Sequence, residues 1–517
     1  MTSQTLPAST EWFGHPRGLF VCFATEMWER FSFYGMKYLL VLFLVQHHLF
    51  SDGEALRILG AYAALVYAMP LLGGIVSDRY LGQTKAVKLG GILLVLGHCA
   101  MAFEGVPATE TVAGEFIRDE QAINIFYFAL ALIVVGVGLL KPNISTVVGR
   151  LYGENDPRRD GGFTIFYMGI NIGAASASLL CGWLASAYGW AYGFGAAGIG
   201  MLIGLIIFSL GQDWLEGHGD PADSAVLKQP APAALGLLNI ERAIILYSLL
   251  SVLVVWVVLQ SQGGVGLMLP VVAALFLAWF IWLLATQCNS EERGKMGALF
   301  FLIVISTVFW SMFEQSGGSM TLFADRATDL TLFGAKLTAA QFGSANAIFI
   351  ILLSPLFALM WPALLSNNIE PSTPAKFGFG IIQVGLGFGA LLIGLSNPDS
   401  AGLVSAWWLV LAYFLHTSAE LCLSPIGLSA VTKLSIARYV GVMMGAWFLA
   451  SAYGSYLASE LAIFFSSIDG AGDGRLGLGG FTALFTELLL YGVGVGVVVL
   501  AVSPFVRRMM RDVHYNG

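Results

Sequence analysis

Apolar runs long enough to cross a membrane recur along the whole chain. A span needs about 20 mostly apolar residues. Fourteen segments qualify: 19–46, 55–77, 86–104, 121–149, 162–187, 191–211, 240–260, 265–287, 297–323, 342–365, 376–396, 402–431, 440–465 and 479–506. The pattern predicts an all-α integral membrane protein. The first segment is not a cleaved signal, because it is long, charged in its middle and lacks a small-residue cleavage site. Two breaks divide the series. Residues 212–239 are polar and then rich in Pro and Ala, and Cys288 to Met296 form a short polar run. The expected organisation is a six-helix bundle over 1–211, a linker over 212–239, two bland additional helices over 240–287, and a second six-helix bundle over 288–517.

Composition narrows the class. The chain is 57% hydrophobic and 11% charged, against about 25% charge in soluble domains. A soluble enzyme and a disordered scaffold are excluded. The net charge of −7 offers no basic surface for nucleic acid. The five cysteines, Cys22, Cys99, Cys181, Cys288 and Cys422, show neither zinc nor disulfide spacing and read as packing residues. Lys and Arg set orientation. Of 25 such residues, seventeen, from Arg17 to Arg511, fall on the face that carries both termini, five on the other, and three inside spans. A multi-pass protein of the inner (cell) membrane with both termini cytoplasmic is expected.

The chemistry lies in the ionisable residues at membrane depth, which are costly there and mark ion or substrate paths. They are Glu26, Glu29, Arg30, Lys37, Lys141, Glu314 and Glu420. With all ionised they sum to one negative charge, so they can pair and leave one place for a proton. At about 100° per residue, Glu26, Arg30, Phe33 and Lys37 fall within roughly 60° of one another on the first helix. Glu29 and Tyr34 flank that stripe, and Val41, Leu42 and Leu44 meet lipid or neighbours. Gly136 and Gly138 permit close helix approach. Pro142, beside Lys141, frees a backbone carbonyl. The charge-bearing helices are the first and fourth of each half, as repeats around a midplane site would place them. The competing reading is a set of static ion pairs, which stabilise weakly compared with apolar packing.

Five motifs in order carry a resemblance. Glu26-Met-Trp-Glu29-Arg30 with Phe33-Tyr34-Gly35, Gly73-Gly74-Ile-Val-Ser77-Asp78-Arg79, Lys141-Pro142-Asn143, Phe166-Tyr167-Met-Gly169-Ile-Asn171-Ile-Gly173, and Glu420-Leu-Cys-Leu-Ser424-Pro425 resemble the signatures of the proton-coupled oligopeptide transporter (POT or PTR) family. That family belongs to the major facilitator superfamily, and its bacterial members have fourteen spans. The resemblance implies a symporter importing di- and tripeptides with protons by alternating access, with no cofactor and no enzymatic activity. Glu26, Glu29, Arg30, Glu314 and Lys141 are implied in proton coupling. Lys141–Glu420 and Lys37–Glu314 are implied as gating pairs. Arg is more usual at position 37, and Lys lacks its planar fork. Gly60 stands where animal members carry a histidine. Ser77 replaces an Ala and is expected to matter little. Tyr34, Tyr67, Asn171, Trp310, Asn346, Trp447 and Ser451 match positions lining the central cavity.

Substrate chemistry agrees with that mapping. A peptide is a zwitterion: its carboxylate suits Arg30, Lys37 or Lys141, and its ammonium suits Glu420 helped by Asn171 and Asn346. Its side chains suit aromatic pockets. Asp78 and Arg79, at a cytoplasmic helix end, are expected in a gating contact or as simple helix-end charges. His47 and His48 are expected at a solvated interface. His416, one turn before Glu420, is the histidine worth testing. The expected partners are peptides, protons and the bilayer, and the expected state is a monomer. A related porter for nitrate, amino acids or drugs is the nearest alternative. A membrane enzyme would need a nucleophile–base pair or metal spacing that the spans lack, and a channel is disfavoured by charge pairing at the centre.

Overall fold

The computed structural model describes residues 11–112, 114–153, 156–221, 224–231, 237–261, 263–466 and 475–510. Arg511 and parts of the 212–239 linker lie outside the described residues. Fifteen α-helices run in chain order among the described residues. They are α1 (Arg17–Gln46), α2 (Asp52–Val76), α3 (Gln83–Met101), α4 (Glu120–Arg150), α5 (Arg159–Tyr188), α6 (Trp190–Leu210), α7 (Ile240–Gln260) and α8 (Gly263–Thr286). They continue as α9 (Ser290–Phe313), α10 (Ser319–Ala327), α11 (Ser344–Ser366), α12 (Thr373–Leu395), α13 (Ala406–Leu434), α14 (Val440–Ser466) and α15 (Leu478–Met509). All but α10 are long enough to span. Thirteen apolar segments qualify by hydropathy, and α1, with its internal charges, makes the fourteenth helix of that length. Among the described residues, the only strands are two-residue pieces in the loops.

Local chemistry sets the boundaries. Asp119 accepts from Ala122 N at 3.0 Å and caps α4. Asn289 and Glu292 form a reciprocal capping box at α9. Gly189 takes φ +109°, which lets α5 pass into α6 through one residue. One expected span is interrupted. The ninth, placed at 297–323, breaks at Glu314 into a 3-10 turn, Glu314–Gly317, before α10 resumes. The Gly317-Gly318 pair permits this, and Gly318 lies against Leu56 and Leu59.

The chain forms two compact units, Met1–Leu39 with Ala68–Gln260, and Leu40–Tyr67 with Ser261–Gly517. The ends of α1 and α2 nearest the 47–51 loop therefore pack within the second unit. There Arg326 donates to both oxygens of buried Asp52 at 2.6 and 2.7 Å, and Gln46 donates to Asp325 at 2.9 Å. A Cβ on Gly60 would come within 2.6 Å of Ser459 Oγ, so this position is closed to larger side chains unless α14 shifts. Val41, Leu42 and Leu44 are buried; they meet neighbouring helices rather than lipid. His47 and His48 are also buried, packed on Phe43. The solvated interface expected for them is replaced by an aromatic cluster. The additional helices divide as well. In the first unit α7 packs on α4, where Trp256 meets Phe128 edge-on at 6.2 Å. In the second, Tyr453 Oη accepts from Ala273 N of α8 at 3.0 Å, and Phe280 stacks on Phe300.

Candidate functional site

The first unit gathers its charges on α1. Arg30 donates through Nη2 to Glu29 Oε1 at 2.7 Å and through Nε to Glu29 Oε2. The same Nε stands 3.3 Å from Glu26 Oε1. One guanidinium thus serves two carboxylates unequally. Glu29 takes a fork, the strong bidentate geometry, whereas Glu26 takes one longer contact. The other oxygen of Glu26 is buried without a hydrogen-bond partner among the described residues. All three side chains are buried. Arg30 also lies 5.0 Å from the Phe33 ring centroid. One turn on, Lys37 Nζ sits 5.9 Å from the rings of both Tyr34 and Tyr38. Glu26, Arg30 and Phe33 are thus neighbours along one face of α1, with Lys37 one turn further on beside Tyr34 and Tyr38. Lys141 on α4 lies within electrostatic range of Arg30, Glu29, Glu26 and Lys37.

Close backbone packing positions Lys141. Pro142 removes an N–H and leaves the Gly138 carbonyl outside the helix ladder. That carbonyl lies against Gly73 of α2, where any Cβ would collide with it. Immediately below, Ser77 Oγ donates to Asn143 Oδ1, and Asn143 Nδ2 donates to Leu139 O at 2.6 Å. Ser77, expected to matter little, is thus a cross-helix hydrogen-bond donor. Asn171 on α5 is buried and donates to its own helix at Tyr167 O, 3.0 Å away. Its neighbours Gly169 and Gly173 let α5 lie against the α1 backbone at Phe23 and Met27.

The second unit holds the other carboxylates. Asn346 Nδ2 on α11 donates to Glu420 Oε2 at 2.9 Å and reaches Thr417 Oγ1 at 3.0 Å on α13. Tyr67 Oη stands 3.4 Å from Glu314 Oε1, a long and therefore weak hydrogen bond. Trp310 packs on Gly454 of α14, and its indole N–H has no partner among the described residues. Trp447 fills the space over Gly427 and meets Phe377. Ser451, one turn beyond Trp447, is buried. Sequence reasoning missed Thr417, although its i−3 relation to Glu420 places both on one helix face. It also missed Gln315, which donates to Ala458 O at 2.8 Å and accepts from Ser319 across the helix break.

Other predicted residues sit elsewhere. His416 is buried, with Nε2 3.1 Å from Val384 O and its ring packed on Gly387 and Phe388; it anchors α13 to α12. Asp78 and Arg79 are exposed on a π-helical turn, Ser77–Leu81. Asp78 accepts from Gln83 at 2.6 Å, and Gln83 accepts from Arg150 at 2.6 Å, which links the feet of α2, α3 and α4.

Comparison with known proteins supplies the rest. The PTR2 profile, described as POT family, matches residues 84–476. The uncharacterized transporter YclF of Bacillus subtilis is 36% identical over 97% of this chain and 96% of its own length. The peptide transporter YePEPT of Yersinia enterocolitica is 39% identical over 88% and 89%. A di-/tripeptide transporter of Lactococcus lactis is 32% identical over 97% and 98%. Among solved structures, a peptide transporter POT in complex with sulfate superposes with a TM-score of 0.81 at 34% identity, covering 97% of both chains. A mutant POT in complex with alafosfalin gives 0.79 at 34% identity over the same coverage.

Proposed function

This chain belongs to the POT family, and from that premise we propose that it imports di- and tripeptides together with protons by alternating access. It is a multi-pass membrane transporter of the major facilitator fold. The observation that carries the substrate reading is the unequal charge of the two polar centres. Of the seven ionisable residues at membrane depth, fully ionised, the first unit holds two carboxylates and three bases, and the second holds Glu314 and Glu420. A zwitterion suits that division, with its carboxylate among Arg30, Lys37 and Lys141 and its ammonium at Glu420 beside Asn346. Tyr34, Tyr67, Asn171, Trp310, Trp447 and Ser451 serve the peptide backbone and side chains.

Proton coupling falls to Glu26, Glu29, Arg30, Glu314 and Lys141. Glu26 is the favoured proton carrier, because Arg30 is already committed to Glu29 and one Glu26 oxygen lacks a partner among the described residues. Lys141–Glu420 and Lys37–Glu314 act as gating pairs that peptide binding and protonation weaken. Asp78 and Arg79 support the gate at the foot of α2. The six-plus-two-plus-six division stands as a proposal about chain order. The excess of Lys and Arg on one face supports an inner-membrane protein with both termini cytoplasmic. One chain contains every group named, so a monomer suffices, and no cofactor is invoked.

The test is uptake of dialanine into proteoliposomes under an inward proton gradient, with and without an uncoupler. Uptake that exceeds the outside concentration and collapses with the uncoupler is expected. Absence of uptake under any gradient would overturn the reading. Competition by excess nitrate or free amino acids should leave dialanine uptake intact. Glu26→Gln and Glu314→Gln should abolish accumulation driven by a pH step, with exchange at equilibrium surviving in at least one of them.

A further inference from the structure

Beyond the central charges, one cavity has the chemistry of an anion site. It lies in the second unit, where the start of α12 meets the end of α15, with a volume of about 840 Å3. Glu370, Pro371, Ser372, Ser503, Pro504, Arg507 and Arg508 line it. Pro504 removes a backbone donor from α15, and Ser503 Oγ takes up the stranded carbonyl of Leu500 at 2.8 Å.

The charge balance of the lining is positive. Glu370 is matched by buried Lys376, whose Nζ pairs with it and also sits 4.1 Å over the Trp361 ring. That leaves Arg507 and Arg508, both exposed and neither with a side-chain hydrogen bond or ion pair among the described residues. The first turn of α12 adds a partial positive charge. Its cap residue Ser372 makes no side-chain capping bond, so its hydroxyl can serve a ligand. Arginine pairs and helix N-termini both suit the tetrahedral oxygens of a phosphoryl group. The flanking residues say where the cavity lies. Phe505 and Ile369 are 65% and 66% exposed beside it, as side chains facing acyl chains would be. The basic edge of a membrane-spanning bundle is where anionic headgroups collect.

We propose that this cavity binds the phosphodiester of an anionic lipid headgroup, held by Arg507 and Arg508 with Ser372 as an added donor. The volume exceeds what an inorganic phosphate ion needs, and the exposed aromatic and aliphatic rim favours a ligand with acyl chains. A merely structural role is the competing account, in which the two arginines complement the C-terminal carbonyls of α15.

The experiment uses the full chain, delipidated in detergent and titrated with phosphatidylglycerol or phosphatidylcholine while retention is read by native mass spectrometry. Retention of phosphatidylglycerol over phosphatidylcholine is expected, falling about tenfold in Arg507→Gln/Arg508→Gln, the loss of one or two charge-assisted bonds. Arg507→Lys/Arg508→Lys should keep most of it. Radiolabelled inorganic phosphate forms a separate arm. Saturable phosphate binding lost in the Gln variant would assign the site to a free anion as well as a lipid, and its absence would assign it to the lipid alone. Thermal unfolding and dialanine uptake monitor folding of each variant. Equal retention of both lipids, or undiminished phosphatidylglycerol retention in a folded Gln variant, would overturn the proposal.

Discussion

The molecule holds two buried acidic centres that differ in what surrounds the carboxylates. On α1, Glu29 is fully buried and locked in a fork with Arg30, while Glu26 shares the same guanidinium. On α13, Glu420 is half-buried and accepts from a neutral amide, Asn346, beside the hydroxyl of Thr417. An ion pair one residue apart on one helix satisfies its charges locally. An amide fixes a carboxylate's orientation by donating to it but brings no countercharge of its own. The first centre is thus compensated by a cation on its own helix, whereas the second is oriented by neutral groups of two helices, α11 and α13.

The strongest way to break this contrast is Arg30→Met. It would leave two buried carboxylates without their cation, a loss of about 3–5 kcal/mol. The expected outcome is a protein that unfolds well below the wild type in a detergent thermal melt and fails to transport. Glu420→Gln, which keeps an acceptor for Asn346, should do the reverse. The amide oxygen of Gln can still accept from Asn346, whose Nδ2 also reaches Thr417, so the melt should fall far less than in Arg30→Met. If the proposed contact of Glu420 with the peptide ammonium is made, its loss should raise KM roughly tenfold to a hundredfold, read as dialanine counterflow. A large fall in stability with unchanged KM would make Glu420 a structural rather than a substrate-binding carboxylate.

Smaller effects sharpen the picture of how the first centre is supported. Gly73→Ala places a methyl against the Gly138 carbonyl and should cost about 1–3 kcal/mol through overpacking, with Lys141-dependent uptake reduced alongside. Ser77→Ala removes the donor to Asn143 and should cost about 1 kcal/mol; a melt indistinguishable from wild type would demote that bond. The smallest effect belongs to an exposed pair. Hydrogen bonds from Arg158 hold the Asp156 carboxyl below the usual carboxylate range. A depressed carboxylate contributes stability above its unfolded pKa of about 4 and loses it as pH falls further. Because Arg158 is well exposed, Asp156→Asn should lower the melting temperature by about 1 °C or less at pH 7 and not at all near pH 2.

Much of this was legible in the sequence. Hydropathy reports the cost of placing each residue in lipid, and that cost is local, so the spans and the buried charges could be read directly. Helical spacing likewise placed Glu26, Arg30, Phe33 and Lys37 on one face. What could not be read depends on which helix a residue meets. The break at Glu314 sits inside an apolar run whose hydropathy shows no gap. The burial of His47 and His48 depends on Phe43 and on packing in the second unit. Ser77 became a donor only because the glycines at 73 and 138 bring α2 within reach of Asn143. His416, read beside Glu420 by sequence distance, is turned toward Val384 on another helix.

The divided docking of α7 and α8 bears on protein engineering. A twelve-helix minimal transporter is an obvious goal, yet the two additional helices cover different bodies and would leave different scars. Removing α7 uncovers Phe128, an apolar face that acyl chains can wet as readily as Trp256 did. Removing α8 strips Tyr453 of the Ala273 N–H it accepts and exposes a hydroxyl to hydrocarbon, where a polar group without a partner is penalised. A successful truncation should therefore begin with Tyr453→Phe.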